Sequence, residues 1–149
     1  MFLVLVLMLV LVLAVIFANA MMDSETSHDV SGLIVDMLLR IGVEDSESLE
    51  HSVRKMAHVF GYWVFGMCVM ALTLFAQKKI RKPSIGFACF FVLLVAVLDE
   101  YIQSYSDRTS STEDILFDFL GAMLGFLLIY AVNCIILRRK KNNTEEATE

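Results

Sequence analysis

The sequence lacks the spacings by which chains hold metals or nucleotides: it has no CxxC, no HExxH and no glycine-rich phosphate loop. Its three cysteines, Cys68, Cys89 and Cys134, are odd in number and scattered through apolar runs. They exclude a disulfide framework and read as small buried hydrophobes. Proline occurs once, at Pro83, where it marks a turn. Charge is missing from residues 1–22 altogether. Basic residues fall in short blocks beside apolar runs, where they act as topological anchors, so nothing supports a nucleic-acid partner.

What is present in excess is apolar sequence. Of 149 residues, 58% are hydrophobic and the mean hydropathy is +0.69, well above a soluble domain. The net charge of −5 says little alone, because acidic and basic residues are segregated along the chain.

Residues 1–22 are long enough to cross a hydrocarbon core of about 30 Å. Ala18-Asn19-Ala20 resembles a leader-peptide cleavage site, but the run has no basic start and is too long for a leader, so an uncleaved first span is expected. Residues 23–53 are an outer acidic segment. Within it Val30, Leu33, Ile34, Met37, Leu38 and Ile41 recur at helical spacing, giving a short amphipathic helix on the membrane surface or on the bundle, ended by Gly42. Asp45 or Ser46 is expected to cap the next helix, whose stripe of Leu49, Val53, Met56 and Phe60 runs into a second span over about 56–77.

Lys78, Lys79, Arg81 and Lys82 follow at once. The third span has only 16 uncharged residues between Pro83 and Leu98, about 24 Å of helix. That is shorter than the hydrocarbon core, so Asp99 and Glu100 are drawn into the boundary region. The fourth span is uncharged from Phe119 to Leu137 and stops at Arg138, Arg139, Lys140 and Lys141. Residues 142–149 are expected to be an unfolded polar tail, and 138–149 a cytoplasmic one.

Eight of the twelve basic residues are those two blocks. By the positive-inside rule both face the cytoplasm, which gives an all-α integral membrane bundle of four spanning helices, N-in and C-in, with the amphipathic helix outside. The same orientation carries Arg54 and His58, then Asp99, Glu100 and Gln103, then Asp114 and Asp118 to one outer face from three helices. Arg108 stands in the 103–113 link on that side. Within each helix the spacing agrees. Arg54, His58 and Tyr62 share a face, as do Asp99 and Gln103, while Asp114, Asp118, Gly121 and Gly125 form one stripe. Gly121 and Gly125 make a GxxxG that lets another helix approach closely.

Each group has a plain structural reading beside a functional one. His58 is either a hydrogen-bonded packing residue or a proton shuttle or ligand beside Asp99, Glu100 or Asp118. Asp99 and Glu100 form ion pairs with Arg54 or Arg108, or line a site. Asp114, three residues after Ser111, suits helix capping. Arg108 suits a phosphate or carboxylate, or pairing with Asp114. Lys55 is expected to snorkel to headgroups, and Tyr62, Trp63 and Tyr101 to anchor at the interface.

The order RKxxH, DExxQ, a lone arginine in a short link and DxxxxxxGxxxG resembles the VanZ-like family of small bacterial membrane proteins. Over about residues 27–137 the resemblance is carried by Arg54, Lys55, His58, Tyr62, Asp99, Glu100, Gln103, Arg108, Asp114, Gly121 and Gly125. This chain departs from the family in having Gly61 where an acidic residue is usual and Asp118 where asparagine is frequent. The resemblance implies a three-helix core over 54–137, a bacterial inner-membrane location and a link to resistance against the glycopeptide teicoplanin.

Two functions follow as expectations. In the first, Arg54, Asp99, Gln103, Arg108 and Asp114 bind an anionic headgroup or an envelope component such as a lipid-linked cell-wall precursor. In the second, the chain is an enzyme on such a substrate, with His58 as acid or base, Glu100 or Asp118 as its partner and the arginines stabilising negative charge. A transporter is disfavoured, since the charges gather at one end and no inverted repeat is visible. An Asp/Glu/His metal site is conceivable, but the spacing is no standard signature. No metal is therefore expected and no cofactor is named; membrane lipids are the partners the composition names.

Overall fold

A computed structural model describes residues 2–22, 24–42, 48–79, 85–105 and 111–146. All its regular structure is helical: α1 (Phe2–Ala20), α2 (Ser24–Arg40), α3 (Leu49–Lys79), α4 (Ile85–Gln103) and α5 (Thr112–Glu146). Four of these, all but α2, are long and apolar enough to cross a membrane. The expected capping residues Asp45 and Ser46, the turn at Pro83 and the link residue Arg108 lie outside the described residues.

α3 is the central post. It packs on α1, α2, α4 and α5, and most extensively on α5. The tight α3–α5 seam follows from glycine on both sides. A side-chain carbon added at Gly66 would overlap the carbonyl oxygen of Ala122, and one at Gly125 would overlap that of Trp63. The GxxxG of α5 therefore seats against α3 as its spacing predicts, and Gly66 is the reciprocal notch.

Below the polar end, Phe65, Val69 and Met70 of α3 meet Val92, Val95 and Ala96 of α4 and Ala122 and Phe126 of α5, with Ile16 of α1 closing one side. The outward faces keep Leu3, Leu7, Phe87, Phe90, Leu124 and Ile136 exposed. In a membrane that surface is solvated by acyl chains, so its exposure carries no penalty.

α2 ends where Gly42 takes a φ of +93°, a left-handed conformation that glycine adopts without steric cost. Leu33, Met37 and Ile41 of the α2 segment stay exposed, as a surface-lying helix would leave them. One expectation is corrected at the other end. Residues 142–146 continue α5 rather than forming an unfolded tail, with Thr144 Oγ1 donating to the Lys140 carbonyl at 2.8 Å. Extending an existing helix through Asn142, Asn143, Thr144, Glu145 and Glu146 needs no new nucleus, which composition alone does not reveal.

Candidate functional site

Four helices meet at one end of the bundle. α1 arrives there with its last turn, α3 with its third, α4 with its last and α5 with its second, because neighbouring spans run in opposite directions. Each contributes polar side chains at the same depth. Asn19 comes from α1, His58 and Tyr62 from α3, Asp99, Glu100 and Gln103 from α4, and Asp118 from α5.

His58 is the hub. Asn19 Nδ2 lies 3.0 Å from His58 Nε2. With the amide donating, the neutral imidazole carries its proton on Nδ1. Nδ1 faces two carboxylates, Asp99 Oδ2 at 3.8 Å and Asp118 Oδ2 at 4.0 Å. Tyr62 donates its hydroxyl to the same Asp99 oxygen at 3.0 Å. Asp99 is fully buried and Asp118 is 3% exposed. Burying two carboxylates this close is expensive without proton sharing or a compensating cation. His58, Asp99 and Asp118 each bring a ligand atom within 4.8 Å of the other two, which makes them the metal-capable group among the described residues. Local spacing could not show this, since each ligand comes from a different helix.

Glu100 sits in the same layer but does another job. Its Oε1 accepts the backbone N–H of Ser111 just ahead of α5. Ser111 Oγ in turn accepts the N–H of Glu113 at 3.1 Å, so Ser111 is the N-cap. The expected capping role of Asp114 is thereby corrected. Its position three residues on is right for a capping box, but the reciprocal bond to the Ser111 N–H is made by Glu100 from α4. Asp114 pairs with Lys55 Nζ at 3.1 Å, and that ammonium also stands 5.5 Å above the Phe117 ring.

Among the described residues Arg54 makes no ion pair with Asp99 or Glu100. Its Nη2 lies 3.5 Å from His51 Nδ1, and the side chain walls a small cavity of about 60 Å³ shared by α1, α2 and α3. Arg54 is one turn before His58 and on its face, yet its long side chain reaches toward α2. Gln103 is buried beside the cluster as the Asp99 spacing predicts. Tyr62 is corrected more sharply. It is 1% exposed and serves Asp99, so it is no interfacial anchor, whereas Tyr101 remains exposed and bonds Tyr105 at 2.6 Å.

Asn19 is the member that sequence reasoning missed. It reads as the middle of a cleavage-like tripeptide, but it is also the only hydrogen-bonding side chain in residues 1–22. A lone amide in an apolar span must find a partner inside the protein, and that was the available signal.

A family model described as VanZ/LLP1 matches residues 3–136, a stretch that takes in α1, α2, α3, α4 and most of α5. No curated protein and no solved structure matches the chain.

Proposed function

This chain belongs to the VanZ/LLP1 family, and on that premise we propose that it is a multi-pass protein of the bacterial inner membrane. Its buried polar cluster opens toward the outer leaflet and engages an anionic headgroup or a lipid-linked envelope component, in a role tied to teicoplanin resistance. The observation that carries this reading is the convergence of Asn19, His58, Tyr62, Asp99 and Asp118 from four helices at one depth. Ionisable groups are rarely placed together at that depth without a task.

Orientation is supported by α5 itself. Asp118 and the basic block that starts at Arg138 are 20 residues apart, about 30 Å of helix, so they occupy opposite boundaries. With the basic end in the cytoplasm, the cluster faces out. A lipid ligand also has somewhere to lay its tail. An apolar groove of about 450 Å³ between α3 and α5 is lined by Lys55, Val59, Phe60, Trp63, Phe117 and Leu124. Its ammonium lies at the polar end, where a phosphate would compete with Asp114.

The alternative is an enzyme acting on a lipid-linked envelope substrate. It is favoured by one feature, the placement of His58 Nδ1 between two buried carboxylates, which suits acid–base work. Of the two partners expected for the histidine, Asp118 is the better placed, since Glu100 holds the start of α5.

Susceptibility to teicoplanin tests both readings. Cells expressing Asp99→Asn are expected to lose the protection given by the unaltered chain while membrane levels on immunoblot stay equal. Protection that survives this change would overturn a functional role for the cluster. Turnover of a lipid-linked precursor by the purified protein would favour the enzyme.

A further inference from the structure

We propose that His58, Asp99 and Asp118 bind one divalent transition-metal cation of the zinc–manganese class, through His58 Nδ1 and one oxygen of each carboxylate. The inference rests on the cluster being a binding site and deepens it, because a cation there would bridge protein carboxylates to a phosphate-bearing headgroup.

Three observations lead to it. First, the donor set is one imidazole nitrogen and two carboxylate oxygens, which suits zinc or manganese better than magnesium or calcium, whose sites are all oxygen. Second, the geometry is close to the mark. Bonds of about 2.0–2.2 Å in a tetrahedral site set two ligand atoms roughly 3.3–3.6 Å apart. The nitrogen lies 3.8 and 4.0 Å from the two Oδ2 atoms, and all three ligand atoms fall within 4.8 Å. Rotation of the two carboxylates, closing the set by roughly half an ångström to an ångström, completes the fit.

Third, Asp118 points into the cluster with 3% exposure, and among the described residues no donor hydrogen-bonds its carboxylate. A carboxylate buried bare costs several kcal/mol, so Asp118 needs either a shared proton or a cation. The imidazole and second carboxylate beside it supply the further ligands a cation would use.

The surrounding groups fit as well. Metal-binding histidines are held by a bond to their other ring nitrogen, and ligating carboxylates are themselves hydrogen-bonded. Asn19 meets His58 Nε2 at 3.0 Å, and Tyr62 donates to Asp99 at 3.0 Å. With the Asn19 amide turned to present its oxygen, Nε2–H donates to it and Nδ1 offers its lone pair to the cation. Three protein ligands leave a coordination position for water or for a phosphate oxygen.

The test uses the full chain purified in detergent, stripped with EDTA, checked for helicity and monodispersity, and titrated with Zn²⁺ and with Mn²⁺. One equivalent of one of these per chain is expected, with affinity at least tenfold weaker in Asp118→Asn and His58→Gln. Asn19→Leu should weaken it about 10–100-fold, and Glu113→Gln, on the exposed first turn of α5, should leave it unchanged. Loading with Co²⁺ should give visible absorption bands that Asp118→Asn abolishes. If substitutions in the cluster prevent folding, the unaltered chain and Asn19→Leu decide. A well-folded chain that takes up neither metal overturns the proposal, as does full uptake by Asp118→Asn. Binding to phosphatidylglycerol vesicles, measured in parallel, separates the two ideas. Lipid binding without metal defeats the cation alone, and metal without lipid binding defeats the headgroup reading alone.

Discussion

Glu100 at the end of α4 accepts the backbone N–H of Ser111, the residue that caps α5. A carboxylate from one helix thus completes the N-terminus of the next, where the helix dipole favours negative charge. Charge-assisted bonds to a backbone N–H are among the stronger ones, and Glu100 is 6% exposed. Glu100→Ala is expected to cost about 1–3 kcal/mol, read as a lower unfolding midpoint in detergent. Glu100→Gln, which keeps an acceptor, should recover much of the loss. Equal loss in both variants would mean that the charge serves something other than the cap.

Tyr62→Phe removes the hydroxyl that Asp99 Oδ2 accepts at 3.0 Å and leaves the ring in place. Taking a donor from a buried carboxylate should destabilise by about 1–3 kcal/mol. The double variant Tyr62→Phe, Asp99→Asn should lose less than the sum of its parts, since the two changes remove one interaction. Additive losses in thermal unfolding would show the two residues to be independent.

The α3–α5 seam makes a contrasting pair of glycine predictions. Gly66→Ala must push α5 away, because the added carbon overlaps the Ala122 carbonyl, and a loss of about 1–3 kcal/mol is expected. Gly61→Ala meets nothing within 4 Å and sits mid-helix. It should stabilise by about 0.5–1 kcal/mol through the entropy of the unfolded chain. Melting curves of the two single variants check both signs.

Lys55 and Asp114 are about a third exposed, so their ion pair is worth about 0.2–1 kcal/mol. Lys55→Met should leave the unfolding midpoint nearly unchanged. If the groove beside it takes lipid, the same change should weaken binding to phosphatidylglycerol vesicles severalfold. A large stability loss with unaltered lipid binding would assign Lys55 to the fold.

Sidedness is checked by single cysteines at position 48 or 105 in a chain whose three native cysteines are replaced. Both positions adjoin the polar end, so an impermeant maleimide should label them from outside intact spheroplasts. A cysteine at position 143, beyond the basic block, should react only after lysis. The reverse pattern would turn the cluster toward the cytoplasm and remove the ground for an envelope ligand.

Much of this arrangement was legible in the sequence because hydropathy and charge act locally. Span lengths, the GxxxG seam and the gathering of His58, Asp99 and Asp118 all follow from helix geometry and the alternation of spans. Side-chain reach was not legible. Arg54 and His58 share a helix face, yet one extends toward α2 and the other into the bundle, a choice set by which neighbour fills the space. Glu100 and Asp99 are adjacent in sequence but point to different partners. Tyr62 reads as an interfacial aromatic until α4 is packed over it. Asn19 was hidden by the run around it, whose hydrophobicity explains a span and gives no reason for an amide.

The Asn19–His58 contact makes the first helix more than an anchor. An amino-terminal processing event at the cleavage-like tripeptide would carry away the imidazole's neighbour and lay bare one wall of the pocket. Fusions, truncations or tags that disturb this segment should therefore impair phenotype even when the remaining spans insert normally, so complementation assays need an unmodified start.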